Sequence, residues 1–325
     1  MTPLSRARRN LYLAALVAIF AALTPILIGY AQGYRFSDLG DVLRLIKTGG
    51  VYVSLGESGV TVSVDGDERE TTSFISRNAL VQNLFAGSYR VAVSKPGYQT
   101  WEKELQVYPE LVTEWRPALV PDPVPLVEIA KTLPVATSTR ATGTVPAKPA
   151  TNPAYAPAVA LFAPATTTKP AGKATTTPER LAVIATLAEA GRRDLEKEPT
   201  LKVSGETGAW LRGGSLRFAW LGEADATPYY LCSPETGDGP EATSAESCVD
   251  ESIVSLPNPV LWFDFAPGRD DLFLVVTKTG LWLVEADGRG GRNAALLKSG
   301  DGIEARVSGD AIVLRQAGRY WRVEI

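Results

Sequence analysis

Leu11-Tyr12-Leu13-Ala14-Ala15-Leu16-Val17-Ala18-Ile19-Phe20-Ala21-Ala22-Leu23-Thr24-Pro25-Ile26-Leu27-Ile28 contains no charged side chain, and neither does its flank out to Tyr34. At about 1.5 Å rise per residue a helix over this run crosses a hydrocarbon core of about 30 Å. Residues 11-30 therefore read as a transmembrane helix. Arg6, Arg8 and Arg9 stand on its N-terminal side. The positive-inside bias then holds residues 1-10 in the cytoplasm as a short tail and sends everything after Tyr34 to the extracytoplasmic side. A cleaved secretory signal is the rival reading, because Gly29 and Ala31 are small residues at a spacing that signal peptidase accepts. A signal h-region is only about 7 to 15 residues long, shorter than this run, so the segment reads as a retained anchor. Pro25 is compatible with the span: its freed carbonyl is met by water or by the Thr24 hydroxyl, at the cost of a kink. Tyr30 and Tyr34 fall where aromatic rings favour the interface. The expectation is a single-pass cell-membrane protein whose first partner is the lipid bilayer, through residues 11-30.

Composition removes several function classes. The chain has 325 residues and a net charge of -3, with a pI near 5.4. Lys and Arg do not cluster outside the N-terminal tail, so the electrostatic footprint of nucleic-acid binding is missing. No histidine occurs anywhere. That deletes the commonest general base, the commonest zinc ligand and every Ser-His or Cys-His arrangement. No catalytic, cofactor-binding or metal-ligating residue is assigned, and no cofactor is expected. Cys232 and Cys248, separated by a stretch rich in Gly, Pro, Ser, Thr and Glu, read as a disulfide in an oxidising compartment. Closing a loop of this length stabilises a fold by roughly 3 kcal/mol in the chain-entropy model. A redox pair would be closer in sequence, as in C-x-x-C.

Beyond residues 31-48, read as a juxtamembrane segment, β patterns begin. Val51-Tyr52-Val53 and Val60-Thr61-Val62-Ser63-Val64 are rich in β-branched residues, and the second ends at the turn dipeptide Asp65-Gly66. Leu84 to Val93 follows, then Lys95-Pro96-Gly97-Tyr98, then Trp101-Glu102-Lys103-Glu104-Leu105-Gln106-Val107 with alternating polarity. Short strands at this spacing, without helical period, predict a small antiparallel β-sandwich over residues 49-120.

The series Val60 to Gly66, Leu84-x-Ala86-Gly87-Ser88-Tyr89-x-Val91, Lys95-Pro96-Gly97-Tyr98 and Trp101 resembles the PEGA domain, a small β-sandwich of bacterial and archaeal surface and membrane-attached proteins. The name-giving Pro-Glu-Gly-Ala is replaced here by Gly56-Glu57-Ser58-Gly59, and the usual Thr-Pro by Thr71-Thr72. Tyr34-Arg35-Phe36 after the span is similar to single-span PEGA proteins of candidate bacterial phyla. The resemblance implies an architecture and a binding or cell-envelope role, without a reaction. Asp65, Asp67, Glu68 and Glu70 suggest a calcium loop, but Arg69 intrudes and the terminal bidentate Glu is missing, so a solvated hairpin tip is the better reading. Trp101 and Trp115 read as core or half-buried residues.

Residues 121-180 are dominated by Pro, Ala and Thr. With few bulky apolar side chains they read as a disordered linker, extended where proline is dense. Tyr155 to Phe162 is more apolar and is a candidate to pair with a domain edge, and the Thr clusters suit O-glycosylation. Residues 181-325 read as a C-terminal antiparallel β domain, after a weak helical pattern over Leu181 to Leu195. Phe265-Ala266-Pro267-Gly268-Arg269-Asp270-Asp271, a strand, Gly280-Leu281-Trp282 and Asp287-Gly288 look like one blade of a β-propeller, with partial blades beside it. Too few blades are present to close a ring. The fold class is thus mainly β, with one transmembrane helix, a PEGA-like sandwich, a linker and propeller-like blades.

Two motifs carry no chemistry. Lys47-Thr48-Gly49 and Lys278-Thr279-Gly280 match the K-T-G element of penicillin-binding enzymes, yet no S-x-x-K accompanies them. Asp270 and Asp271 are adjacent, and neighbours on a strand face opposite ways, so they cannot share a substrate. The expected function is a non-enzymatic binding or structural module of the cell envelope, its partner an envelope protein or polysaccharide. Alternatives are carbohydrate binding on exposed aromatic rings and a carboxylate-based hydrolase.

Overall fold

The computed structural model describes residues 6–38, 43–131, 161–162, 185, 187, 192–223, 226–234, 246–249 and 251–325. The fold is mainly β, with one long helix, α1, over Arg6–Ala31. Two compact units divide the chain: residues 1–94 with 104–117, and residues 95–103 with 118–325.

In the first unit α1 is long and apolar enough to cross a membrane, as an anchor or as a signal sequence. Leu11, Leu16, Ile19 and Phe20 are all more than half exposed, so among the described residues nothing covers this stretch of the helix. Pro25 lies inside it and leaves the Ala21 carbonyl without its i+4 donor. Thr24 does not fill that gap, because its hydroxyl donates to Phe20 O at 2.7 Å. Gly33, at φ +82°, ends the helix in the left-handed conformation that a Cβ would strain.

A hairpin of β1 (Tyr34–Asp38) and β2 (Leu43–Lys47) follows directly. Next come β3 (Gly49–Val53), β4 (Thr61–Val64), β5 (Asp67–Thr71), β6 (Ala79–Leu84), β7 (Gly87–Ser94), β8 (Trp101–Val107), whose residues 101–103 belong to the second unit, and β9 (Val112–Trp115). They form a three-stranded sheet, β6-β3-β9, and a four-stranded sheet, β5-β4-β7-β8. Each sheet has one buried face. Val51, Val53, Val81 and Trp115 provide one, and Val62, Val64, Val91 and Val93 the other. The period of two sets this alternation, and β-branched side chains fill such pleated surfaces well. Asp65 (φ +53°) and Gly66 (φ +87°) close the β4–β5 hairpin, as the Asp-Gly pair predicts.

Among its described residues the second unit contains three four-stranded antiparallel sheets. One is formed by β10 (Leu126–Lys131) with three strands that come much later in the chain. Another contains β11 (Lys202–Ser204), β12 (Thr207–Arg212) and β13 (Ser215–Trp220). Between β13 and β16 (Ser252–Val254), its fourth strand, lies the small ladder β14 (Cys232–Pro234) and β15 (Glu246–Cys248). The third sheet is the consecutive β17 (Trp262–Phe265), β18 (Leu272–Thr277), β19 (Gly280–Glu285) and β20 (Ala294–Ser299). Finally β21 (Glu304–Ser308), β22 (Ala311–Gln316) and β23 (Arg319–Val323) pair in sequence, and β10 adds to β23. Phe218, Phe265 and Phe273 lie in the core between the β11–β16 and β17–β20 sheets, with Phe273 5.3 Å from each of the other two rings.

Strand β10 corrects the linker, which composition begins at residue 121. Within the Pro, Ala and Thr background, Leu126-Val127-Glu128-Ile129 is a short β-prone run, and the edge of β23 offers its backbone a ladder. Residues 132–160 and 163–180 of the expected linker lie outside the described residues. Of the expected helix over Leu181 to Leu195, positions 185 and 187 are helical, and Leu195 belongs to a 3-10 turn over Arg193–Lys197. Leu187 and Leu195 pack with Trp210, Ala219 and Leu221.

Candidate functional site

The helix exit is a small built structure in the first unit. Gly33 O accepts from both Thr48 N (3.1 Å) and Thr48 Oγ1 (2.7 Å). Arg35 donates to the carbonyls of Tyr30 and Tyr34, each at 2.9 Å, and to Asn83 Oδ1 at 2.5 Å. Its guanidinium also lies 3.6 Å above the Tyr30 ring. A cation on the last carbonyls of a helix is favoured by the macrodipole. Lys47 pairs with Glu110, which raises the lysine pKa. These contacts surround a cleft of about 530 Å³ that reaches Gln32, Gly49 and Leu111. Gly49 is required there: a Cβ would stand 2.1 Å from Tyr108 O. Arg6, Arg8 and Arg9 lie exposed at the opposite end of α1.

A second cleft, of about 520 Å³, belongs to the second unit. Buried Leu272, Leu283, Ile312 and Val323 contribute apolar walls. Arg269, Asp310, Arg322 and Glu324 add both signs of charge. Arg269 is held by Asp271 through Nε (2.5 Å) and Nη2 (2.7 Å), and Arg322 Nε lies 4.0 Å from Glu324 Oε1. Asp310 and Glu324 are exposed. The cleft thus has apolar walls with charged groups at its margin.

The third feature is a buried charge cluster, also in the second unit. Lys103 Nζ lies 2.6 Å from Glu285 Oε1 and 3.4 Å from Asp287 Oδ2, and it donates to Asp287 O at 2.9 Å. The same Glu285 oxygen accepts from Asn293 N (2.7 Å) and Asn293 Nδ2 (3.0 Å). Arg289 grips Asp287 through Nε (3.0 Å) and Nη2 (2.9 Å). Burial pushes the Glu285 carboxyl up, against the pull of Lys103. Burial also acts upward on Asp287, but Arg289 and then Lys103 outweigh it and hold that carboxyl below the usual range. Burial lowers the Arg292 guanidinium, whose Nη1 donates to Glu285 O at 2.7 Å.

Cys232 and Cys248 face each other across the β14–β15 ladder and are joined by a disulfide. The carboxylates at the β4–β5 tip have other tasks: Asp65 accepts from Arg90 N at 2.9 Å and Glu70 from Leu80 N at 2.8 Å. Among the described residues no three His, Cys, Asp or Glu side chains gather to hold a metal ion. Asp271 is fixed by Arg269, Thr279 lies in the turn between β18 and β19, and Trp101 and Trp115 are buried. Sequence reasoning missed the Lys103 cluster and the Arg35 clasp. A signal existed for the first. In Trp101-Glu102-Lys103-Glu104-Leu105 the lysine occupies the parity of the buried residues, and the strand's burial alternates on that parity.

No family model matches the chain, and neither a curated protein nor a solved structure does.

Proposed function

We propose that the chain is a bitopic membrane protein whose extracytoplasmic part is a binding or structural module of the cell envelope, acting without catalysis. The observation that carries this reading is α1, whose large apolar side chains from Leu11 to Ile28 lie exposed. Arg6, Arg8 and Arg9 orient it with the N-terminus in the cytoplasm. The PEGA-like reading of residues 49–120 is supported by the two sheets of the first unit and the Asp65-Gly66 hairpin. The propeller-like reading of the second unit is supported by its three four-stranded sheets, since a blade is such a sheet. Three, the number among the described residues, fall short of the roughly four to eight blades that close a ring.

Protease added to intact spheroplasts tests this topology. Loss of both β units with survival of a membrane-embedded stub is the expected result. A soluble mature protein beginning at Gln32 would overturn it.

The hydrolase alternative draws on Asp310 and Glu324, which line one cleft. Both are exposed, whereas paired glycosidase carboxylates depend on contrasting environments. Hydrolysis of envelope polysaccharide that is abolished by Asp310→Asn and Glu324→Gln would establish it. Retention on insoluble cell wall without turnover favours carbohydrate binding instead.

A further inference from the structure

Three groups that can react with one another meet at one oxygen atom. Glu285 Oε1 is 2.6 Å from Lys103 Nζ and 3.0 Å from Asn293 Nδ2, and the Lys103 and Glu285 side chains are 0% and 2% exposed. An ion pair for stability does not call for this arrangement, because a buried pair often contributes no more than apolar residues of the same volume. An amine, a carboxamide and a shared carboxyl, with the amine and the carboxyl sealed from water and the carboxamide half-buried beside them, are, however, the complete set for transamidation. Proximity replaces an encounter in solution, a positioned acid–base group moves the protons, and exclusion of water suppresses hydrolysis.

We propose that Lys103 and Asn293 become joined by an isopeptide bond that the folded protein forms itself, with Glu285 as proton carrier. Glu285 first takes a proton from the Lys103 ammonium. The Nζ lone pair attacks Asn293 Cγ, and the electrons of the carbonyl π bond move to its oxygen. Glu285 hands its proton to Nδ2 and receives a second one from Nζ. The carbonyl re-forms, the Cγ–Nδ2 bond breaks with its electron pair going to nitrogen, and ammonia departs, taking the last proton as ammonium. One C–N bond forms and one breaks, so no oxidant, reductant or other reactant is needed. The upward push of burial on Glu285 suits a group that must accept a proton. Asp287 is the poorer acceptor: Arg289 holds it as the anion by two hydrogen bonds, and its backbone carbonyl steers Nζ. The bond ties residues 101–103, the part of β8 that belongs to the second unit, to the loop after β19, and it is independent of the membrane reading.

Intact-mass spectrometry of the full-length protein, denatured and with the disulfide reduced, tests the proposal. The wild type is expected to be one ammonia lighter than its sequence mass, and its digest to contain one peptide linking Lys103 to Asn293. Glu285→Gln and Asn293→Ala should both show the full sequence mass. Asn293→Ala keeps the Lys103–Glu285 pair, and its circular dichroism should match that of the wild type, so the comparison survives if Glu285→Gln unfolds. A wild-type protein at full sequence mass after prolonged incubation overturns the proposal. So does loss of water with a link to Asp287, or loss of ammonia confined to the Asn293 peptide, which marks a succinimide.

Discussion

Lys103 Nζ and Glu285 Oε1 lie 2.6 Å apart with both side chains sealed from water, although their positions are far apart in sequence. Such a pair makes an asymmetric demand on the fold. Removing one member leaves a buried charge without its counter-charge, which is costlier than never having had the pair.

In an Asn293→Ala background, where Lys103 keeps its charge and no cross-link forms, Lys103→Met should therefore destabilise the protein by about 3–5 kcal/mol. Adding Glu285→Gln in that background should recover part of the loss, because the stranded anion is then gone. Urea unfolding of the two variants at neutral pH measures both effects. A Lys103→Met variant as stable as its Asn293→Ala parent would show that the pair contributes nothing.

Asp287 gives the fold a dependence on acid. Its folded pKa lies below the ordinary 3.8 because Arg289 and Lys103 favour the anion more than burial disfavours it. The stability it lends is present above 3.8 and is lost as the pH falls through the lower folded value. Asp287→Asn should be less stable than wild type near neutrality, and the gap should narrow as the solution is acidified below pH 3.8. Thermal melts across that range decide it. A gap that is constant with pH would mean the charge is immaterial.

The Cys232–Cys248 disulfide closes the loop inserted between β13 and β16. Replacing both cysteines by serine should cost roughly 3 kcal/mol, most of it through a freer unfolded chain. Non-reducing peptide mapping of protein from its native compartment should recover the linked pair. Two free thiols there would remove this contribution.

Phe162 ends the apolar stretch that, within the expected linker, is the candidate to pair with a domain edge, and it is buried against Val313 and Tyr320, its ring 5.6 Å from the tyrosine ring in an edge-on arrangement. Phe162→Ala should cost about 3 kcal/mol, whereas a true spacer residue should cost almost nothing. Denaturant unfolding at 25 °C distinguishes the two. A fragment that starts at Leu195 lacks Phe162, β10 and Lys103 together, and its unfolding midpoint should lie well below that of the full chain.

Local rules read this chain well where the physics is local. The apolar run of α1 was legible because a helix of that length needs only its own side chains to declare itself. The β4–β5 turn was legible because left-handed backbone at Asp65 and Gly66 is a property of those two residues. The alternation in Trp101–Val107 was equally plain, and it even placed Lys103 on the buried parity. What that lysine meets there was not legible. Glu285, Asp287 and Asn293 approach it only after β8, β19 and the loop after β19 have packed, and no sequence spacing encodes that approach. β10 was hidden for the same reason: Leu126–Lys131 becomes a strand because β23, formed from the far end of the chain, presents an edge with unpaired backbone groups. Side-chain period and turn chemistry are written along the sequence, whereas the pairing of distant edges and of buried charges is decided by burial, which exists only in the tertiary fold.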